Sequence, residues 1–229
     1  ISFGIIFFLP LLSQLYYYAM KYLSFFILLF IGELSVSAQH MFSRQFPFFN
    51  QLSSNEIFSI HQDREGYFWI GTTNGLARYD GYQLNTFRTD YKNQNLLTDN
   101  GITAINDNDL YVWIGTWKGL NLYNKQTCQI TPFSDVRLLD KVVDAITVDK
   151  DGNVWVSAGG MIYRCDSTAH IIKEYEVGNI QEGYAISNIY VDQQKQLWAV
   201  GSRGIFRYEP ETDSFFRYPP LGNGHTAYI

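Results

Sequence analysis

The sequence has no excess of basic residues: 17 Lys and Arg stand against 22 Asp and Glu, a formal net charge of −5 over 229 residues. Without a cationic stripe, a nucleic-acid-binding surface is not expected. The short signatures of common catalytic sites are absent too, with no G-x-S-x-G elbow, no H-E-x-x-H and no G-x-x-x-x-G-K-[ST]. Histidine is scarce, and His40, His61, His170 and His225 are scattered, which points to structural or solvent-exposed roles. Beyond about residue 40 no window shows the 3.6-residue apolar period of a helix, so a helical repeat array is excluded. The two cysteines, Cys128 and Cys165, have spacings that imply no pairing; export would permit a disulfide, but two buried thiols are expected.

What the sequence does have is aromatic residues, 17% of the total, and a rhythm among them. Trp69, Trp113, Trp155 and Trp198 are spaced by 44, 42 and 43 residues, each in similar company. The first copy, Ile57 to Asp80, reads I-F-S-I-H-Q-D-R-E-G-Y-F-W-I-G-T-T-N-G-L-A-R-Y-D. The second, from Ile102, is one residue shorter before its tryptophan; the third, from Val143, has Cys165 where the first has Tyr79; the fourth, from Ile186, has Lys195 in place of the turn glycine. A repeat of 40 to 45 residues made of short β-rich runs predicts an all-β protein, a β-propeller of four-stranded blades.

Each repeat can be read strand by strand. An apolar run (Ile57/Ile60, Ile102/Ile105, Val143/Ile146, Ile186/Ile189) marks the inner strand. An aspartate six residues before each tryptophan, at Asp63, Asp107, Asp149 and Asp192, is expected to turn the chain by Asx-type hydrogen bonds. The tryptophan opens a second strand, and Gly75, Gly119 and Gly204 turn into a third. Phe87, Phe133, Tyr175 and Phe216 close the units on a fourth. The repeats fall near 54–90, 100–134, 140–176 and 183–218, with a fifth expected to begin near 226 because Ile229 continues the series of inner-strand isoleucines. That predicts an open arc of about four blades, cut from a ring of about seven. Phe46 to Phe49 (F-P-F-F) is the candidate for a ring-closing strand.

The first 38 residues do not resemble the repeats. From Met20 they read as a secretory signal: Lys21, an apolar stretch Tyr22 to Ile31, and a small-residue cleavage site Val36-Ser37-Ala38. The expected organisation is an over-extended upstream segment at 1–19, a signal peptide at 20–38 and the propeller part at 39–229. The apolar run is short for a bilayer span.

The recurring aspartates, glycines and tryptophans read as scaffold, so binding is sought in what varies. In a propeller the turn between the second and third strands opens on the same face as the link into each inner strand. Those turns carry Thr73-Asn74, Trp117-Lys118, Ala158-Gly159 and Ser202-Arg203. An aromatic ring beside a cation suits a sugar, which offers an apolar face and a rim of hydroxyls. Trp117 is the leading candidate for ligand contact, with Lys118, Asn74 and Arg203 beside it. No catalytic residue, cofactor or metal site is expected. Asp149 to Asn153 resembles the start of a calcium loop but lacks its third acidic position and closing glutamate.

The pattern I-x-x-D-x-x-G-x-x-W-I-G-T-x-x-G-L-x-R-Y-D, nearly complete at Ile60 to Asp80, resembles the two-component regulator propeller repeat. The resemblance implies the periplasmic sensor region of a hybrid sensor histidine kinase. It further implies a second propeller, an immunoglobulin-like domain, a membrane helix anchoring the receptor in the inner membrane, and a kinase, none of them in this sequence. Family members are dimeric receptors thought to sense oligosaccharides released from glycans, which makes this chain a non-enzymatic sensor module. The competing readings are a propeller-fold carbohydrate-active enzyme and a protein-interaction scaffold.

Overall fold

The computed structural model describes residues 16–23, 48–89, 96–177, 186–202 and 204–218. The chain divides into two compact units, Ile1–Gln45 and Phe46–Ile229. In the first, residues 16–23 are helical. No described helix is long and apolar enough to cross a membrane. Most of the expected signal segment and the expected fifth repeat lie outside the described residues.

The second unit contains sixteen strands among the described residues, in four four-stranded antiparallel sheets that follow chain order. Blade 1 comprises β1 (Ile57–Gln62), β2 (Phe68–Thr72), β3 (Gly75–Tyr79) and β4 (Leu84–Phe87). Blade 2 comprises β5 (Ile102–Asp107), β6 (Tyr111–Thr116), β7 (Gly119–Asn124) and β8 (Gln129–Pro132). Blade 3 has β9 (Val143–Val148), β10 (Val154–Ala158), β11 (Met161–Cys165) and β12 (Ile171–Glu176). Blade 4 has β13 (Ile186–Val191), β14 (Leu197–Gly201), β15 (Gly204–Glu209) and β16 (Ser214–Arg217). The inner strands β1, β5, β9 and β13 lie against one another in that order. No strand of blade 1 pairs with one of blade 4 among the described residues, so the array is an open arc. Phe49–Gln51 forms a 3-10 turn, and Phe46 and Pro47 of the expected ring-closing strand lie outside the described residues.

The apolar core lies between the blades. Trp69 and Leu76 of blade 1 pack with Ile102, Ile105, Val112 and Tyr123 of blade 2. Trp113 and Leu120 of blade 2 pack with Val143, Ile146 and Val154 of blade 3, and Trp155 and Ile162 of blade 3 with Ile186, Ile189 and Phe206 of blade 4. The glycine two residues after the first two tryptophans makes this possible. A Cβ on Gly71 would stand 2.7 Å from Ile102, and one on Gly115 2.6 Å from Val143. At the free end of the arc the equivalent side chains are uncovered: Ile60 is 64% exposed, against 7% for Ile105.

Three of the four aspartates hold their turns in the same way. One oxygen of Asp63 accepts from the backbone N–H of Glu65 and Tyr67, and the other from Trp69 Nε1 at 2.7 Å. Asp149 and Asp192 do the same for Trp155 and Trp198, each at 2.8 Å. Blade 2 differs because its β5–β6 turn is one residue shorter. Counting back six from Trp113 lands on Asp107, which is still in β5, paired with Val112. The turn residue is Asn108, whose Oδ1 accepts from Leu110 and Tyr111 N–H. With the acid replaced by an amide, the buried Trp113 Nε1 has no acceptor among the described residues. The fourth blade also closes one step later than expected: Tyr218, not Phe216, meets Trp198, with ring centroids 5.3 Å apart, and Phe216 is exposed.

Candidate functional site

The turns between second and third strands and the links into the inner strands share one face, as their hydrogen bonds show. Thr73 N–H donates to Glu56 O, Trp117 to Gly101 O and Gly159 to Val142 O. On this face the Trp117 ring is 44% exposed and lies over Gly101, where a Cβ would come within 2.4 Å of it. Gly101 therefore sets the height of the ring above the backbone. Its edge faces the exposed ring of Phe58, with centroids 6.2 Å apart.

The other expected contact residues divide. Lys118 is solvent-exposed, with Nζ 3.8 Å from Asp99 Oδ2. Asn74 is committed to the scaffold, donating to Ser53 O and accepting from Arg88. Arg203 lies outside the described residues.

Sequence reasoning missed the residue beside Trp117 and the row to which it belongs. Every inner strand carries a β-bulge at its second residue. Ile57 pairs with Thr72 and Ser59 with Gly71, leaving Phe58 over. The same break singles out Thr103, Asp144 and Ser187. A bulged residue is released from the ladder and its side chain re-aimed. Phe58, Asp144 and Ser187 are exposed; Thr103 is half-buried and donates its hydroxyl to Val143 O at 2.5 Å. Contacts link blades 1 to 3: Phe58 meets Trp117, Trp117 covers Gly101, and Thr103, two residues on, reaches the residue before Asp144. Asp144 is reached by solvent yet flanked by enough protein that burial pushes its carboxyl up to about 6. The signal was in the sequence, where the second position of the inner runs reads Phe, Thr, Asp and Ser while the first and fourth stay Ile or Val.

The opposite face, formed by the first-to-second and third-to-fourth strand turns, holds a charged knot. Asp107, 5% exposed, accepts from Lys125 Nζ at 2.7 Å and lies 2.7 Å from His61 Nε2 of blade 1. Burial pushes the Asp107 carboxyl up, but His61 and Lys125 outweigh it and hold it near about 2. Beside the knot is a cavity of about 260 Å³ lined by Arg64, Asn108, Asp109, Leu110, Gly152 and Ser167. Its polar groups are already engaged: Arg64 pairs with Asp109, and Asn108 Nδ2 donates to Ser167 O. Among the described residues no three His, Cys, Asp or Glu side chains converge as a metal site would require. Asp107 and Asp144 are the carboxylates of the inner strands, and they stand at opposite ends of theirs. Both cysteines are free; Cys165 is buried, which pushes its thiol up to about 12, whereas Cys128 is exposed, contrary to expectation.

An open array of four-stranded antiparallel blades, with a variable residue row on one face, is part of a β-propeller. Solved structures of the same architecture agree. A chain described as the extracellular domain of a one component system from B. thetaiotaomicron is 21% identical, with a TM-score of 0.54 over 68% of this chain and 21% of its own. The extracellular domain of a hybrid two component system from the same organism is 21% identical, with a TM-score of 0.53 over 76% of this chain and 31% of its own. Virginiamycin B lyase from Staphylococcus aureus is 19% identical, with a TM-score of 0.57 over 72% of this chain and 56% of its own. The chain thus spans about a fifth and about a third of the two extracellular domains. Residues 51–74 match the two component regulator propeller family, so the resemblance carried by the Ile60 to Asp80 motif holds. No curated protein matches the chain.

Proposed function

We propose that this chain is the ligand-sensing part of an exported, extracytoplasmic propeller in a two-component receptor, and that its ligand is an oligosaccharide released from a glycan. The observation that carries the reading is the two-component regulator propeller repeat at residues 51–74. The exposed Trp117 ring on the face of the variable turns supports the ligand class. In the proposed receptor, residues 20–38 direct export and are removed after Ala38. A second propeller, an immunoglobulin-like domain, a membrane helix and a kinase belong to the same dimeric receptor, anchored in the inner membrane of a periplasm-bearing cell. The ligand acts by preferring one arrangement of that receptor.

Calorimetric titration of the chain with a panel of oligosaccharides tests the ligand class. Heat of binding from at least one glycan is expected, and silence across the panel would refute it. The catalytic alternative is prompted by the lyase's shared fold; a hydrolase brings two carboxylates to one point, and among the described residues the inner-strand carboxylates Asp107 and Asp144 stand at opposite ends of their strands. A protein-docking role has one observation in its favour, the exposed Val136, Leu139 and Val142 on the link from blade 2 to blade 3.

A further inference from the structure

The four blades repeat their scaffold and vary one inward position. Where the inner strand must pack against the neighbouring blade, the residue is Ile or Val in every copy. At the bulge between those positions the residues are Phe58, Thr103, Asp144 and Ser187, an aromatic ring, two hydroxyls and a carboxylate. None of the four is needed for strand pairing, because the bulge sets each outside the ladder. Phe58 and Trp117 leave ring surface to solvent. The Asp144 carboxylate has no hydrogen-bond partner among the described residues. The polar groups around the cavity on the opposite face, by contrast, satisfy one another.

We propose that the bulge row and Trp117 form one elongated subsite for a glycan of at least two sugar units. One pyranose rests its apolar face on the Phe58–Trp117 corner, and hydroxyls of the next donate to Asp144 and to Ser187, whose own hydroxyl donates to Val200 O at 3.3 Å. Thr103, tied to Val143 O, is the floor between them. The subsite rests on the oligosaccharide reading and adds where and how the ligand lies. Aromatic rings give the sugar its contact area and the few polar groups fix its orientation.

The test is calorimetric titration of the full chain with cellotetraose, maltotetraose, xylotetraose and chitotetraose. Alongside it go Trp117→Ala, Trp117→Phe, Asp144→Asn, Ser187→Ala and, on the opposite face, Arg64→Ala, each checked for unaltered circular dichroism. For whichever tetrasaccharide binds, Trp117→Ala and Asp144→Asn are each expected to weaken affinity by about tenfold or more. Trp117→Phe should retain most of it, and Arg64→Ala should leave it unchanged. Binding that survives both Trp117→Ala and Asp144→Asn, or that is lost in Arg64→Ala, overturns the subsite and leaves the oligosaccharide reading intact. If no tetrasaccharide binds the unaltered chain, both fall together. Asp144 and Ser187 are exposed and take no part in the core, so their variants stay informative even if Trp117→Ala unsettles the loop.

Discussion

Trp113 and Trp155 occupy the same place in consecutive blades and are equally buried at 0% and 1% exposure. They differ in one hydrogen bond and in the residue paired with them, Arg164 lying 5.4 Å over the Trp155 ring, which a phenylalanine would still offer it, and Leu122 standing beside Trp113. The Trp155 indole N–H reaches the Asp149 carboxylate at 2.8 Å; that of Trp113 reaches nothing among the described residues. Phenylalanine at either position removes similar volume and leaves similar space, so that cost cancels in the comparison. What remains is the polar contribution. A hydrogen bond to a charged partner is worth about 1.5–3 kcal/mol, and a buried unsatisfied donor costs about 1–3 kcal/mol. Trp155→Phe forfeits the first and leaves Asp149 one donor short; Trp113→Phe relieves the second. Trp155→Phe should therefore destabilise the chain more than Trp113→Phe, by about 2.5–6 kcal/mol. Guanidinium unfolding followed by far-ultraviolet circular dichroism measures both without depending on tryptophan emission. Equal losses within about 0.5 kcal/mol, or a larger loss for Trp113→Phe, would refute the assignment of the orphan indole to the shortened turn.

Two further predictions concern charge. Asp144, raised to about 6 from an ordinary 3.8, binds its proton more tightly in the folded chain, so its contribution is favourable below about pH 4 and is lost as pH rises through 6. Asp144→Asn should raise the melting temperature at pH 7.5 and leave it unchanged at pH 4; a loss of stability at pH 7.5 would contradict this. Asp107 is the opposite case, held at about 2, so it stabilises the fold above about pH 4 and ceases to as pH falls toward 2. Lys125→Met, which strips one partner from a buried carboxylate, should cost about 3 kcal/mol at neutral pH and raise the acid-unfolding midpoint, as followed by circular dichroism during acid titration.

The blade rhythm was legible because the inter-blade core demands one large ring per repeat at a fixed strand position, and a tryptophan leaves a mark that a single sequence can show. Asp107 was misplaced for an equally physical reason. Counting from the tryptophan assumes a constant turn length, and the deletion in blade 2 shifts the turn to Asn108 while Asp107 stays in the strand and pairs with Lys125 and His61. The bulge row was harder to see, since a bulge is a fact of register between two strands and has no residue type of its own. Contacts between blades were out of reach for the same reason. Arg78 lies over the Trp69 ring and bonds Tyr123 of the next blade, and the corresponding Leu122 and Cys165 between blades 2 and 3 change together. Only the pairing of blades explains why the arginine and the tyrosine vanish as a couple.

The division of the core between blades has a consequence for how such a chain comes into being. Each of the first three repeat tryptophans is covered by the blade that follows it: Trp69 by Ile102 and Val112, Trp113 by Val143 and Val154, Trp155 by Ile186 and Leu197. A chain emerging from its N-terminus, whether from a ribosome or through a membrane, therefore completes one interface each time a new blade arrives. At every moment of synthesis the uncovered ring belongs to the newest blade alone, so the greasy surface offered to other molecules stays one blade wide however long the array becomes.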